Sequence, residues 1–159
     1  MMRSVLLLTL VVFAQISIAQ TQSVVDDLDV PTIVAQNHFV KYPNCEVDEW
    51  SKLIDSKEAT TFQAEFTFRK KSMYAYYDKD GKQLSEWIAL THIPKTVNGF
   101  IDEQHPKFKL NAYCYVTDYV KEKVFFVARI KSKQTGFEDI FFDEALNNVP
   151  TNYGVYALN

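Results

Sequence analysis

Three histidines, two cysteines and a scatter of carboxylates carry most of the chemistry open to this chain. Catalysis needs a nucleophile beside a base, a pair of carboxylates, or a cluster with metal-ligand spacing. His38, His92 and His105 lie far apart in sequence, and no HExxH or CxxC grouping occurs. His38 and His105 fall on or just after two expected helices and read as packed or solvated side chains. His92 precedes Ile93-Pro94 at a strand-to-helix join. Neither Cys45 nor Cys114 stands beside a basic residue that would lower its thiol pKa. Asp78-Lys79-Asp80-Gly81 offers alternating acids before a glycine, but a calcium loop needs a third ligand before that glycine and a bidentate Glu at loop position twelve, where this chain has Ala89. The segment therefore reads as a hairpin connection. Asp26, Asp27 and Asp29 read as a solvated acidic stretch. The sequence assigns no catalytic residue, metal or cofactor.

Aromatic placement is more informative than titratable placement. Phe108, Leu110, Ala112, Cys114 and Val116 alternate, so if they face a helix, Tyr113 and Tyr115 face the other way. By the same alternation, Met73, Ala75 and Tyr77 inward put Tyr74 and Tyr76 outward, and their counterparts Ile140 and Phe142 put Phe141 outward. Leu84, Ile88 and Leu90 inward leave Trp87 outward, and Val47 with Leu53 inward does the same for Trp50. Trp50, Tyr74, Tyr76, Trp87, Tyr113, Tyr115 and Phe141 would then form an apolar aromatic face away from the helices, of the kind that marks interaction surfaces. The other half of the molecule or a second copy of the chain would also suffice to cover it. One bulge would reverse any of these phases.

The elements that must position these side chains recur. Val30-Pro31-Thr32-Ile33-Val34 is echoed by Ile93-Pro94-Lys95-Thr96-Val97, and Tyr42-Pro43 by His105-Pro106, both at a spacing of 63. Phe62-Gln63-Ala64-Glu65-Phe66 answers Phe126-Val127-Ala128-Arg129-Ile130 at 64, and Ala75-Tyr76-Tyr77-Asp78 answers Ile140-Phe141-Phe142-Asp143 at 65. Each copy opens a helix at a Pro and closes it before a second Pro. Val97, Phe100 and Ile101 form the buried stripe of the second helix, and Ile33, Val34 and Val40 that of the first, with His38 near its edge. Period-two alternation follows, with strands expected at 45–54, 60–69, 72–78, 83–91, 108–118, 123–132 and 137–143, and an eighth within Tyr153 to Ala157. The fold class is α+β, two tandem units of one helix and a four-stranded antiparallel sheet, over 30–92 and 93–159.

Arg3, an apolar run from Val5 to about Ala14 and the small residues Ser17 to Ala19 have the layout of a secretory signal over 1–19, cleaved after about Ala19. The run is too short and too soon interrupted by Gln15 and Ser17 for a membrane anchor. Removing 19 of the 159 residues leaves 140, a length typical of one domain. Residues 20–29 are expected as a flexible lead. With Arg3 gone, 16 cations face 20 anions, a balance of −4 that offers no electrostatic footprint for nucleic acid. Aromatics at 14% of the sequence argue for a packed core rather than disorder. Export would place Cys45 and Cys114, one in each half, in an oxidising compartment, as a bridge or as two buried thiols.

Val30-Pro31, Val34, Tyr42-Pro43-Asn44, Trp50, the Ala64-Glu65-Phe66 strand and Tyr77-Asp78 with Asp80-Gly81-Lys82 together resemble the PepSY-like, β-lactamase-inhibitor-like (BLIP-like) family of exported bacterial proteins, over about residues 28–157. The second copy departs from that pattern: Tyr113 stands where the first has Trp50, and Asp143-Glu144-Ala145-Leu146-Asn147 replaces the Asp-Gly hairpin. The resemblance implies a tandem αββββ fold and a periplasmic protein. The expected function is a non-catalytic binding or inhibitor-like module presenting a sheet face and hairpin loops to a protein, peptide or cell-envelope component. Two alternatives stand beside it: an envelope enzyme, such as a hydrolase, using scattered residues such as His92, Asp78 and Asp143, and a structural envelope protein.

Overall fold

The computed structural model describes residues 21–54, 58–133 and 136–149. The chain runs β1 (Thr21–Val25), α1 (Thr32–Lys41), β2 (Val47–Ile54), β3 (Thr60–Phe68), β4 (Lys71–Asp78), β5 (Gln83–Ala89), α2 (Lys95–Gln104), β6 (Lys109–Asp118), β7 (Lys123–Ser132) and β8 (Gly136–Phe142). All eight strands join one antiparallel sheet in sequence order. The α+β class and the strand positions agree with the sequence reading. The lead differs, because Thr21–Val25 pairs with β2 as an edge strand instead of trailing loosely. The proposed signal and the strand expected within Tyr153 to Ala157 lie outside the described residues.

Proline starts both helices. Pro31 and Pro94 cap them, and their carbonyls accept the first helical hydrogen bonds from Val34 (2.8 Å) and Val97 (3.1 Å). Both helices lie on the same face of the sheet. From α1, Val34 packs onto Trp50, Phe62, Ala64, Phe66, Met73, Ala75 and Tyr77 of the sheet. From α2, Val97 and Ile101 pack onto Tyr113, Ala128, Ile130 and Phe142. His38, not Ile33 or Val40, completes the α1 stripe: it is fully buried one turn after Val34, while Ile33 and Val40 are exposed. His38 thus occupies the place that Ile101 holds in α2, 63 residues on.

The opposite face holds a second apolar layer of Leu53, Tyr76, Trp87, Cys114, Val116, Phe125, Val127 and Phe141, with Val149 packed against it. Three bulges decide which residues reach which face. In β5, Tyr77 pairs with Gln83 and Tyr76 with Ser85, leaving Leu84 extra, so Leu84 packs in the opposite layer and not under the helices as alternation predicts. In β2, Val47 pairs with Phe66 and Glu49 with Glu65, leaving Asp48 extra. In β6, Leu110 pairs with Ile130 and Ala112 with Arg129, leaving Asn111 extra. Each bulge shifts the alternation by one, so Val47 and Trp50, and likewise Leu110 and Tyr113, share the helix face at a spacing of three.

The hairpin after β4 and the turn after β8 carry the same bonds. Asp78 Oδ1 accepts from the N–H groups of Asp80 and Lys82, and Asp143 Oδ1 from those of Ala145 and Asn147. Gly81 (φ 82°) and Leu146 (φ 63°) occupy the left-handed position, so the second turn keeps the hairpin geometry without its glycine. Glycine is needed at 81 for a further reason. Its carbonyl accepts from Asn37 Nδ2 of α1 at 2.9 Å, and a Cβ there would sit 2.7 Å from that same nitrogen.

Candidate functional site

The seven aromatics expected on one open face are divided between the two faces, and five of them are buried. Trp50 and Tyr113 lie under the helices because of the bulges at Asp48 and Asn111. The Trp50 ring stands 5.5 Å from that of His38, and Tyr113 stacks on Phe126 at 5.5 Å. Tyr115 shares that helix face, edge-on to Phe126 at 5.6 Å, and is half-buried. Tyr76, Trp87 and Phe141 do lie on the opposite face, but as core: the rings of Tyr76 and Trp87 are 5.6 Å apart and those of Trp87 and Phe141 6.4 Å. Tyr74, half-buried, borders this layer. Alternation counted without bulges cannot find this partition.

The bulge in β6 also separates the cysteines. Cys45 packs in the α1 core and Cys114 in the opposite layer, both as free thiols, so the helix-facing phase expected for Cys114 does not hold. Burial pushes the Cys114 thiol up to about 12 and raises that of Cys45. Cys45 is not isolated from basic groups in space. Its Sγ lies 3.5 Å from His38 Nε2 and donates to the Tyr42 carbonyl at 3.0 Å, while His38 Nδ1 lies 3.0 Å from the Tyr77 hydroxyl. The arrangement that satisfies every group has the Tyr77 O–H donating to Nδ1 and Nε2–H donating to sulfur. Burial lowers the His38 pKa to about 4 and raises that of Tyr77. A neutral imidazole beside a neutral thiol is no nucleophile, so this trio is a polar element of the core.

At the C-terminal end of α1 the polar groups reach the surface. Lys41 Nζ donates to Gln83 Oε1 at 2.8 Å and to the Tyr119 hydroxyl at 2.7 Å, and pairs with Glu86 at 3.4 Å. The Tyr42 hydroxyl donates to Glu86 and accepts from Gln83 Nε2 at 2.9 Å. Beside this network opens a cleft of about 510 Å³. Phe68, Met73 and Ile88 give it an apolar floor, and Val40, Tyr42 and Pro43 form its wall. Lys41, Arg69 and Lys71 supply cations to the rim against the single carboxylate of Glu86, which Lys41 and Tyr42 already engage. Arg69 and Lys70 form the two-residue turn between β3 and β4, both in the left-handed region (φ 50° and 65°) where a hairpin prefers Asn-Gly. Keeping long cationic side chains there costs backbone strain. Sequence reasoning placed strands on both sides of 69–71 but missed this cleft; the lack of Gly or Asn between two adjoining strands was the available signal.

The scattered residues considered for hydrolysis are not brought together. Asp78 and Asp143 hold separate turns, and hydrogen bonds from Asn147 lower the pKa of Asp143. His92 is exposed ahead of α2. Among the described residues no group of three His, Cys, Asp or Glu side chains has metal-site geometry, and no helix is long and apolar enough to cross a membrane.

The arrangement of two helices on one face of a single antiparallel sheet is shared with solved structures. A DUF2874 family protein from Bacteroides uniformis superimposes with a TM-score of 0.57 at 14% identity, over 75% of this chain and 86% of that one. A BLIP-like protein from Bacteroides fragilis does so with 0.52 at 13%, over 74% and 81%. A proposed periplasmic protein from Bacteroides eggerthii gives 0.56 at 13%, over 72% and 81%. The fold is therefore BLIP-like. No protein-family model matches the sequence, and no curated protein matches it either.

Proposed function

We propose that this is an exported, non-catalytic binding module built from two tandem helix-plus-sheet units, and that it holds a protein or peptide partner at the cleft between α1 and β5. The cleft carries the reading. It joins an apolar floor to a cationic rim, and the rim residue Arg69 sits with Lys70 in a turn where both take left-handed backbone angles. A partner segment with an apolar side chain beside a carboxylate meets both demands. Of the seven aromatics, Tyr115 extends this surface, because it is half-exposed on the helix face and pairs in register with Ile88 of the floor. Duplication is supported by the matching bulges at Asp48 and Asn111, the matching turns at Asp78 and Asp143, and helix caps 63 residues apart. Export is supported by the leader and by a fold shared with a protein proposed to be periplasmic.

The test compares the wild-type protein with Arg69→Glu/Lys71→Glu, using a photo-crosslinker at exposed Val40 and envelope extract as the source of partner. One partner should crosslink to the wild type and bind the variant about tenfold more weakly or worse, with the denaturation midpoint unchanged. Equal binding by both, or labelling that is just as strong from Lys95, would move the site elsewhere.

A further inference from the structure

A second concavity, of about 790 Å³, opens at the far end of β6 and β7, lined by Lys107, Lys109, Leu110, Lys131, Ser132 and Lys133 together with the bulge residue Asn111. It gathers four of the chain's 17 Lys and Arg residues in a protein whose acidic residues outnumber its basic ones. Lys109 and Lys131 are directly opposed in register across the antiparallel pair. Like charges in that relation destabilise a sheet. Among the described residues, no acidic side chain lines the concavity and none of the four ammonium groups makes an ion pair. Lys131 does lie 4.8 Å from the ring of the exposed Phe137. The nearby guanidinium of Arg129 is, by contrast, neutralised by two hydrogen bonds to Asp139 at 2.8 and 2.9 Å. Among the described residues, four charges without an ionic partner, two of them directly opposed, are thus held at a bulge beside an arginine that has its own counter-ion.

We propose that this lysine groove is an anion site for a ligand carrying two or more phosphate groups. Ammonium groups act as compact point charges that suit phosphate oxygens at varied angles, whereas planar carboxylates are better matched by the fork of an arginine, which is already occupied here. The spread of four cations over a concavity of this volume exceeds what one phosphate can neutralise, so the site favours clustered phosphates over a single one. The same chemistry is offered by a soluble polyphosphorylated molecule and by a phosphorylated lipid headgroup. The site is separate from the α1 cleft and does not depend on the function proposed for it.

Tripolyphosphate is the probe, titrated calorimetrically into the purified protein at low salt, with sulfate at equal ionic strength as comparison. Saturable 1:1 binding is expected, at least tenfold tighter than for sulfate, and weakened by roughly tenfold or more in Lys109→Gln/Lys131→Gln. Lys121→Gln/Lys123→Gln, which neutralises the hairpin at the other end of the same strands, should bind as the wild type does. The opposed pair gives a ligand-free readout: Lys131→Gln should raise the denaturation midpoint in the absence of anion. Flotation with phosphatidylcholine vesicles containing phosphatidic acid assigns the source, since capture that depends on Lys109 and Lys131 indicates a headgroup, and binding of tripolyphosphate alone indicates a soluble ligand. Absence of saturable tripolyphosphate binding, equal binding by the Lys109/Lys131 variant, or equal loss in the hairpin variant would overturn the proposal.

Discussion

Replacing His38 by Ile and Tyr77 by Phe would put into the α1 core the pair that α2 already uses at the corresponding places, Ile101 and Phe142. His38 is fully buried, and burial holds its pKa at about 4 against an ordinary value of 6.5. The folded protein therefore takes up this proton later than the unfolded chain does. The associated stability is fully present above about pH 6.5 and is lost as pH falls from there to about 4, below which this group contributes nothing more. A depression of this size corresponds to about 3 kcal/mol, of which roughly 2–3 kcal/mol is lost by pH 4.5. Against a typical total of about 5–15 kcal/mol, that is a large share. The double substitution removes the titrating group together with the hydroxyl it binds. His38→Ile alone would strand the buried Tyr77 hydroxyl at a cost of about 1–3 kcal/mol at every pH. Urea unfolding at several pH values between 7.5 and 4.5, followed by the fluorescence of Trp50 and Trp87, gives both stability curves. Carboxylates titrate in both proteins, so the difference between the curves isolates His38. That difference should shift in favour of the variant by roughly 2–3 kcal/mol across the range. A difference that stays constant within about 0.5 kcal/mol would refute a buried neutral His38.

Trp87, with no exposed surface, should behave as core: Trp87→Ala should cost roughly 3–5 kcal/mol in urea unfolding, whereas Tyr115→Ala on the half-open helix face should cost much less. A loss below about 1 kcal/mol for Trp87→Ala would restore that residue to an open face. Both thiols should resist iodoacetamide in the native protein and each accept one label after unfolding without reductant, because they are buried, protonated and on opposite faces of the sheet. Rapid native labelling of either cysteine, or a mass showing a Cys45–Cys114 bridge, would contradict the layering.

The order of elements was legible because it depends on local signals. Pro31 and Pro94 start helices, Asp78 to Lys82 closes a hairpin, and alternation such as that of Phe62, Ala64 and Phe66 marks a strand whichever face it presents. Faces were less legible, because one extra residue inverts everything beyond it and neither Asp48 nor Asn111 looks unusual in sequence. The edge strand β1 was hidden for a different reason: among the described residues of Thr21–Val25 only Val25 packs against the α1 core, too little for period-two alternation to show. His38 was hidden by residue type. Its counterpart 63 residues on, Ile101, pointed to a core position, but a histidine reaches the core only where tertiary partners such as Tyr77 and Cys45 satisfy both ring nitrogens. Leu146 shows the limit of turn chemistry, since the carboxylate of Asp143 holds the loop closed strongly enough to dispense with glycine.

The bulges also explain why a chain so rich in aromatics offers so little aromatic surface. Without Asp48 and Asn111, Trp50 and Tyr113 would point away from the helices and join Tyr76, Trp87, Phe125 and Phe141, while Phe62, Phe66, Tyr77, Phe126 and Phe142 would still face the helices. Inserting one residue early in the first strand after each helix turns Trp50 and Tyr113 under α1 and α2, and Leu53 and Cys114 into the opposite layer. Each layer then holds at least one large ring system in van der Waals contact, with buried rings contributing well over 1 kcal/mol apiece. What remains for recognition is the surface that neither layer consumes: the cleft where α1 ends above β5, and the lysine groove formed where the β6 bulge opens the end of the sheet. Both lie where a strand departs from regular pairing or a turn from its preferred residues, which is where a packed sheet can spare side chains for something other than its own core.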